Sequence, residues 1–354
     1  EGPGYWQYGT SYHTAMLGAC GPLGVPITPT PELRLAGLAM LHLTSPNRLT
    51  WNFADGGSGH AVPSSPQCWL ALHFKDAGQA AVVRMQLEQV ARDKPKALAD
   101  DRFSPLAVLW LPAPVAAPAP PLAAAFHGEQ AMAMFRTGWT TNDGYFAIKG
   151  GTPAASHGHM DAGSFIFDAH GRRWLHDLGA EDYNLPGYFG NKRWTYYRLQ
   201  NRSHNTLEIG GALQNAKAAP CPLTQATLTG ASFRAAFDLS SAYAGSAATV
   251  TREATFDPAS GRAVITDQVT RPAGDVVWRA FTDAKIEIND ATVILRKDKS
   301  TITLRRLSEA GVWSVAEAKP PTAAEKPNKG FMALVLTAPK ADAVKLSVEI
   351  TSGY

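Results

Sequence analysis

The hydrophobic positions in the first 110 residues recur at helical spacing. Five leucines between residues 31 and 43 predict a largely buried helix, and similar patterns predict helices over 64–73 and 79–92. The segment 45–63 contains an Asp-Gly-Gly turn signal and is predicted to be a loop. These patterns indicate that the chain begins with a helical part.

The pattern changes after residue 110. Residues 111–121 read LPAPVAAPAPP, and five prolines in eleven residues can neither continue a helix nor lie inside a sheet. This stretch predicts a stiff, extended linker. We therefore expect a helical part over 1–111, a Pro/Ala linker over 112–125 and a β-rich part over 126–354.

The β-rich part shows short apolar runs separated by turn residues. Asn142-Asp143-Gly144 and the segment 168–171 each lie between two such runs and predict β-hairpins. Nine further runs between residues 223 and 350 follow at a spacing typical of antiparallel sandwiches. The predicted fold class is α+β multidomain, with a helical part followed by a large antiparallel two-sheet β-sandwich.

Composition excludes several classes of protein. Lys plus Arg is 33 and Asp plus Glu is 30, which gives a net charge of +3. Such a small charge does not indicate a nucleic-acid-binding protein. No apolar run is long enough for a membrane span. The three cysteines are scattered and form no CxxC pair, which argues against a cysteine-based zinc site. The chain begins at Glu1, which suggests a processed chain or a fragment.

Histidines concentrate between residues 157 and 204. His157 and His159 form a His-x-His pair, and His176-Asp177 and His204 follow. Two histidines and a carboxylate are a common zinc ligand set. Hydrogen-bonded core or loop histidines would give the same pattern, so residue types alone leave both interpretations open.

Two aromatic clusters could bind or process a sugar. Tyr5, Tyr8 and Tyr12 share one face of a predicted helix, and tyrosine hydroxyls can transfer protons. The second cluster is Trp194-Thr195-Tyr196-Tyr197-Arg198, followed by Arg202. An aromatic helix face packed in the core would also produce the first pattern, and ordinary strand packing with partly buried arginine stems would produce the second equally well.

Several motifs resemble those of the heparinase II/III-like polysaccharide lyases. They are HGHMDAGSF from His157, WLHDLGAEDY from Trp174, RSHNT from Arg202, and the opening EGPGYWQYG. The resemblance implies a truncated (α/α) toroid followed by a two-sheet antiparallel domain, with the active site in the cleft between them. It also implies that the chain is a C-terminal piece, whose upstream carboxylate-binding Asn or His would precede Glu1.

The resemblance implies a role for each motif. The family cleaves uronate-containing polysaccharides by β-elimination, using tyrosine and histidine for proton transfer. His157 matches the active-site histidine, and one structural zinc ion is expected on His159, Asp177 and His204. Tyr8 is preferred over Tyr5 as the catalytic tyrosine, with Tyr12 as a weaker choice. The residues expected to bind substrate are Tyr188, Tyr196, Tyr197, Arg198 and Arg202.

Two other functions are kept open. A zinc hydrolase would use the same three ligands, with Asp161 as the base. A non-catalytic carbohydrate-binding fragment would need no chemistry. His13 and His60 are expected to be structural. The expected partner is an anionic polysaccharide (heparin, heparan sulfate, alginate or another uronate), and the oligomeric state stays open. The resemblance implies a periplasmic or secreted location.

Overall fold

The computed structural model describes residues 2–57 and 64–353. His60 lies outside these ranges. The helices are α1 (Gly2–Cys20), α2 (Leu33–Leu43), α3 (Ser65–His73), α4 (Ala77–Asp93), α5 (Pro95–Ala99) and α6 (Ser104–Leu109). The three helices predicted from the spacing of hydrophobic residues are therefore confirmed. Asp76 caps α4 by accepting a hydrogen bond from the backbone N–H of Gln79 at 3.0 Å. No helix in the described ranges is both long and apolar enough to cross a membrane.

Seventeen strands in the described residues form three antiparallel sheets. The five-stranded sheet contains, in order, β1 (Ala123–Phe126), β2 (Met132–Arg136), β3 (Tyr145–Lys149), β4 (Phe165–Ala169) and β5 (Arg172–Leu175). The four-stranded sheet contains β15 (Val312–Glu317), β16 (Met332–Ala338), β11 (Val276–Thr282) and β6 (Leu207–Ile209). The eight-stranded sheet contains β12 (Lys285–Asn289), β13 (Thr292–Lys297), β14 (Ser300–Arg306), β17 (Ala343–Ser352), β10 (Ala263–Thr270), β9 (Thr249–Phe256), β8 (Phe233–Asp238) and β7 (Leu223–Thr227).

The antiparallel β architecture and both predicted hairpins are confirmed: β2 pairs with β3, and β4 pairs with β5. Buried side chains from all three sheets form one continuous hydrophobic core. The sequence pattern did not separate the five-stranded sheet from the sandwich. It also missed four strands, which are β1, β6, β12 and β15.

The proline-rich segment packs against its neighbours. The last helix of the helical part ends at Leu109 and β1 begins at Ala123. Between them, the carbonyl of Pro112 accepts a hydrogen bond from Arg84 at 2.8 Å, and that of Pro120 accepts one from Trp139 at 3.0 Å. These contacts hold the segment against α4 and against the turn between β2 and β3. The boundaries 1–111, 112–125 and 126–354 stay a prediction.

The five-stranded sheet is covered on both faces. One face belongs to the main core, and the other packs against Leu43 at the end of α2 and against Trp51, Phe53 and Ala54 of the segment that follows it. This explains why every residue of β2, β3 and β4 is buried, whereas β8 alternates between buried and half-buried positions. The sheet therefore joins the helical part to the β part.

Candidate active site

Two buried arginines of the five-stranded sheet fix the segment after α2. The guanidinium of Arg136 donates hydrogen bonds to the carbonyls of Leu41, His42 and Thr44 at 3.1–3.3 Å. A cation suits this position because the last carbonyls of a helix carry partial negative charge. Arg173 donates to the carbonyl of Thr50 at 2.9 Å, further along the same segment. Residues 41–50 are thus anchored before the chain reaches the site.

Residues 52–57 then form a tight loop against the end of β5. Asn52 donates a side-chain hydrogen bond to the carbonyl of Asp177 at 3.1 Å. Gly179 has φ +69°, and a Cβ atom there would lie 2.7 Å from the Asn52 amide nitrogen. A side chain at residue 179 would therefore push the two segments apart. This close approach places Asp55 beside His157 and His159.

Asp55 is the centre of the site. Its buried carboxylate lies 2.7 Å from Nδ1 of His157, 3.0 Å from Nε2 of His159 and 3.5 Å from Nη2 of Arg193, and it accepts a hydrogen bond from the Tyr188 hydroxyl at 2.6 Å. Burial by itself raises the pKa of Asp55, but the hydrogen bonds from His159, Tyr188 and His157 outweigh it and hold the pKa well below its usual range. Asp55 is therefore a carboxylate that orients two imidazoles.

His157 has an unusual backbone conformation. Its φ of 56° lies in the left-handed region, which costs an ordinary side chain about 1 kcal/mol or more. The next residue is Gly158, where a Cβ atom would lie 2.7 Å from the carbonyl of Pro153. Because the Asp55 carboxylate can only accept, Nδ1 of His157 carries the hydrogen of their 2.7 Å contact. This tautomer places the imidazole lone pair on Nε2.

Tyrosine rings lie around His157. The ring of Tyr5, on α1, has its centroid 5.6 Å from that of His157. The hydroxyl of Tyr183 lies 3.2 Å from Nδ1 of His157. Burial, followed by hydrogen bonding with Tyr5, raises the pKa of Tyr183 well above its usual range. The His157 imidazole therefore lies beside two tyrosine side chains as well as the Asp55 carboxylate.

Only one of the two candidate catalytic tyrosines meets this cluster. Tyr8 lies one turn further along α1, where its ring packs against Tyr12 and the guanidinium of Arg102. The geometry reverses our preference, since Tyr5 contacts His157 and the contacts of Tyr8 lie elsewhere. The catalytic role of either residue stays a prediction. His13 is exposed on α1.

The three predicted zinc ligands are close together and buried. Nδ1 of His204 lies 3.1 Å from the Asp177 carboxylate, and the rings of His159 and His204 have centroids 5.3 Å apart. Burial lowers the pKa of His159, which favours a neutral imidazole. Asp161 is buried and paired with Lys149, so its carboxylate is already neutralised.

These residues suit zinc in their chemistry. Nδ1 of His159 and Nε2 of His204 are both buried, and neither has a hydrogen-bond partner in the part of the chain that the structure describes; two such imidazole nitrogens are suited to bind a metal ion. Nevertheless, no three His, Cys, Asp or Glu side chains within residues 2–57 and 64–353 converge on one point as a ready metal site. The zinc ion therefore stays a proposal.

The predicted substrate-binding residues mostly have structural contacts. Tyr188, Tyr196 and Tyr197 are only 1%, 8% and 9% exposed, so their faces cannot receive a sugar. Arg198 donates to the carbonyls of Leu178 and Ala180 at 2.7 and 2.9 Å and thereby ties down the loop after β5. Arg202 contacts the carbonyl of Gly211 and the carboxylate of Glu208. Of these five, Tyr188 reaches the site through its hydroxyl, which donates a hydrogen bond to Asp55.

Sequence reasoning missed Asp55, Tyr183, Phe189 and Arg193. Asp55 lies in a segment recognised only as a loop, and its partner His157 is 102 residues away in the chain. The available signal was weak: an acidic residue before two glycines. Tyr183 is the last residue of the WLHDLGAEDY motif but was given no role, and Phe189 lies between that motif and RSHNT. Their proximity to His157 appears only in the folded chain.

Comparisons with known proteins agree with this fold. A family profile described as Heparinase II/III-like, C-terminal, matches residues 126–342. A crystal structure of Heparinase III aligns with TM-score 0.76 and 14% identity, over 99% of this chain and 53% of that one. Heparan sulfate lyase HepC from Pedobacter heparinus aligns with TM-score 0.70 and 16% identity, over 99% of this chain and 52% of that one.

The chain thus spans about half the length of these solved structures. At such low identity, the structural likeness establishes the fold. Among curated proteins, the comparison found no match.

Proposed function

Because the chain belongs to the heparinase II/III-like family, we propose that it acts as a polysaccharide lyase on an acidic, uronate-containing polysaccharide. The observation that supports this most directly is the contact between Tyr5 and His157, with centroids 5.6 Å apart. It brings a proton-carrying residue of the helical part to an oriented imidazole of the β part. Such a pair suits a reaction with two proton transfers.

The proposed reaction is a β-elimination. Nε2 of His157 removes the proton on C5 of the uronate, the C4–O4 bond breaks, and a C4–C5 double bond forms. The Tyr5 hydroxyl gives its proton to the departing O4. Atoms and charges balance because the imidazole gains the proton that the sugar loses and the leaving group gains the phenolic one. We assign these two roles to His157 and Tyr5.

The surrounding charges support His157 as the base. Asp55 accepts the Nδ1 hydrogen of His157 and stabilises the imidazolium that forms when Nε2 takes up a proton. Arg193 donates to the carbonyl of Gly158 at 2.9 Å and adds a permanent positive charge to the cluster. That charge favours the approach of an anionic sugar.

We further propose that His159, Asp177 and His204 hold one structural zinc ion. When bound, the ion would neutralise Asp177 and tie together three separate segments of the chain. The proton transfers described above are carried by the chain's own residues. We also propose a periplasmic or secreted location, because a polymeric substrate is found outside the cytoplasm. Cell fractionation can test this.

The test is the ultraviolet absorbance of the unsaturated uronate product, with heparin, heparan sulfate and alginate as substrates. Tyr5→Phe is expected to lower turnover by roughly 10²-fold or more, because it removes a proton donor and leaves the ring in place. Tyr8→Phe is the matched control on the same helix and is expected to keep turnover. Loss of activity in Tyr8→Phe with retention in Tyr5→Phe would reverse the assignment.

The structure gives less support to a zinc hydrolase. The base considered for that reaction, Asp161, is buried and its carboxylate is paired with Lys149, so it is not exposed to a water molecule that it could activate. Hydrolysis would yield new reducing ends without an unsaturated product. Saccharide binding with neither product would identify a non-catalytic module instead.

A further inference from the structure

In the loop between β5 and residue 196, some aromatic side chains are buried and others are exposed. Tyr188 and Tyr196 are 1% and 8% exposed and stack on each other with centroids 6.2 Å apart. Phe189 is 63% exposed and Tyr183 is 36% exposed. Neighbouring residues of one loop therefore have opposite environments.

Both exposed rings lie beside the candidate base. The centroid of Phe189 is 5.6 Å from that of His157, and the centroid of Tyr183 is 5.9 Å from it. Phe189 and Tyr183 also contact each other edge to face, with centroids 4.9 Å apart. The two rings form one aromatic rim at the imidazole.

The loop holds Phe189 outward in a fixed position. Gly187 has φ +68°, which lets the chain turn before Tyr188 enters the protein. The Tyr188 hydroxyl is then anchored on Asp55 at 2.6 Å. Phe189 packs edge to face against the buried Tyr188, with centroids 5.0 Å apart. An aromatic ring fixed in this way loses little conformational entropy when a ligand binds.

The side chain of Phe189 has no polar atom and therefore cannot take part in the proton transfers. Its exposed surface would be stabilised by contact with an apolar face, because that contact removes apolar area from water. A pyranose ring has such a face, made of its axial C–H groups, and the position beside His157 is where the proposed reaction needs a sugar. The adjacent Arg193 favours an anionic sugar over a neutral one.

We propose that Phe189 and Tyr183 form a saccharide-stacking subsite that takes a pyranose ring of an acidic polysaccharide next to His157. The inference rests on the proposed substrate class, but it does not depend on elimination chemistry. It replaces Tyr188, Tyr196 and Tyr197 as the sugar platform, since those rings are buried.

The experiment measures binding by calorimetry, with a heparan sulfate hexasaccharide and an alginate hexasaccharide as probes. All variants carry Tyr5→Phe so that turnover does not interfere. Phe189→Ala is expected to weaken the binding of at least one probe about tenfold, whereas Phe189→Trp keeps it, because the flat face is retained. Val312→Ala is the matched control: Val312 is also highly exposed but lies on β15. The melting temperature of Phe189→Ala should stay near that of its parent, since the ring is mostly exposed.

The outcomes separate this inference from the proposed function. Unchanged affinity in Phe189→Ala, or no binding of either probe by the parent protein, would overturn the subsite. Binding that depends on Phe189, in a wild-type protein that yields no unsaturated product, would refute elimination and support the subsite. Elimination by the wild-type protein, together with an equal KM in Phe189→Ala, would support the proposed reaction and refute the subsite.

Discussion

Replacing Asp55 with asparagine removes the negative charge at the centre of the site and keeps the side-chain shape. The carboxylate contacts His157, His159 and Tyr188 at 2.6–3.0 Å. The amide retains one acceptor oxygen, and its NH2 group must face one of the N–H or O–H donors. Removing one partner of a buried charged cluster costs about 3–5 kcal/mol in unfolding free energy. We expect Asp55→Asn to destabilise the protein by about that amount.

The same substitution should affect turnover separately from stability. Without the Asp55 charge, the His157 imidazolium loses its counter-ion, and the tautomer with the hydrogen on Nδ1 is no longer enforced. We expect kcat to fall by roughly 10²-fold, with little change in KM, because Asp55 is buried and cannot touch the substrate. kcat and KM are measured at a temperature and denaturant concentration where the variant is fully folded.

The matched control is Asp100→Asn. Asp100 is exposed and pairs with Lys96 one turn away on the surface, at 2.8 Å. Such a pair contributes about 0.5 kcal/mol or less, and it is far from the chemistry. Urea unfolding and the ultraviolet product assay are run on both variants. If Asp55→Asn unfolds like Asp100→Asn, or cleaves at the wild-type rate, the role assigned to Asp55 is wrong.

Three further predictions concern other parts of the molecule. His159→Ala is expected to lower both zinc content, measured by elemental analysis, and the melting temperature; equal metal content would refute the ligand set. Burial raises the pKa of Cys68 to about 12 and also raises that of Cys221, so a thiol reagent should react with partly exposed Cys20 alone in the native protein and with all three thiols in denaturant. Burial raises the pKa of Asp283, but hydrogen bonds from a histidine and a lysine outweigh it and leave the pKa lowered, so its stabilisation exists above about pH 4 and is lost at lower pH. The difference in melting temperature between wild type and Asp283→Asn should therefore shrink as the pH falls from 7 toward 2, and a constant difference would contradict this.

The sequence determined those features that depend on neighbouring residues. The spacing of hydrophobic residues predicted α2 and α4, and the Asn142-Asp143-Gly144 turn predicted the β2–β3 hairpin, because these signals act within one turn or one strand pair. Strand β12 was missed because it alternates between exposed and half-buried positions and so lacks a clear apolar face. The motifs around His157 also carried the family resemblance, which the profile match over 126–342 confirms.

The tertiary structure decided which side chains form the site. Tyr5 and Tyr8 share one helix, and only the packing of α1 against the β part brings Tyr5 to His157. Tyr188 and Phe189 are neighbours in the chain, yet one is buried on Asp55 and the other is held in solvent. Asp55 reaches the histidines because two buried arginines anchor its segment on the five-stranded sheet, more than 80 residues further along the chain. Contacts over such separations leave no periodic pattern in the sequence, since they depend on how whole elements pack.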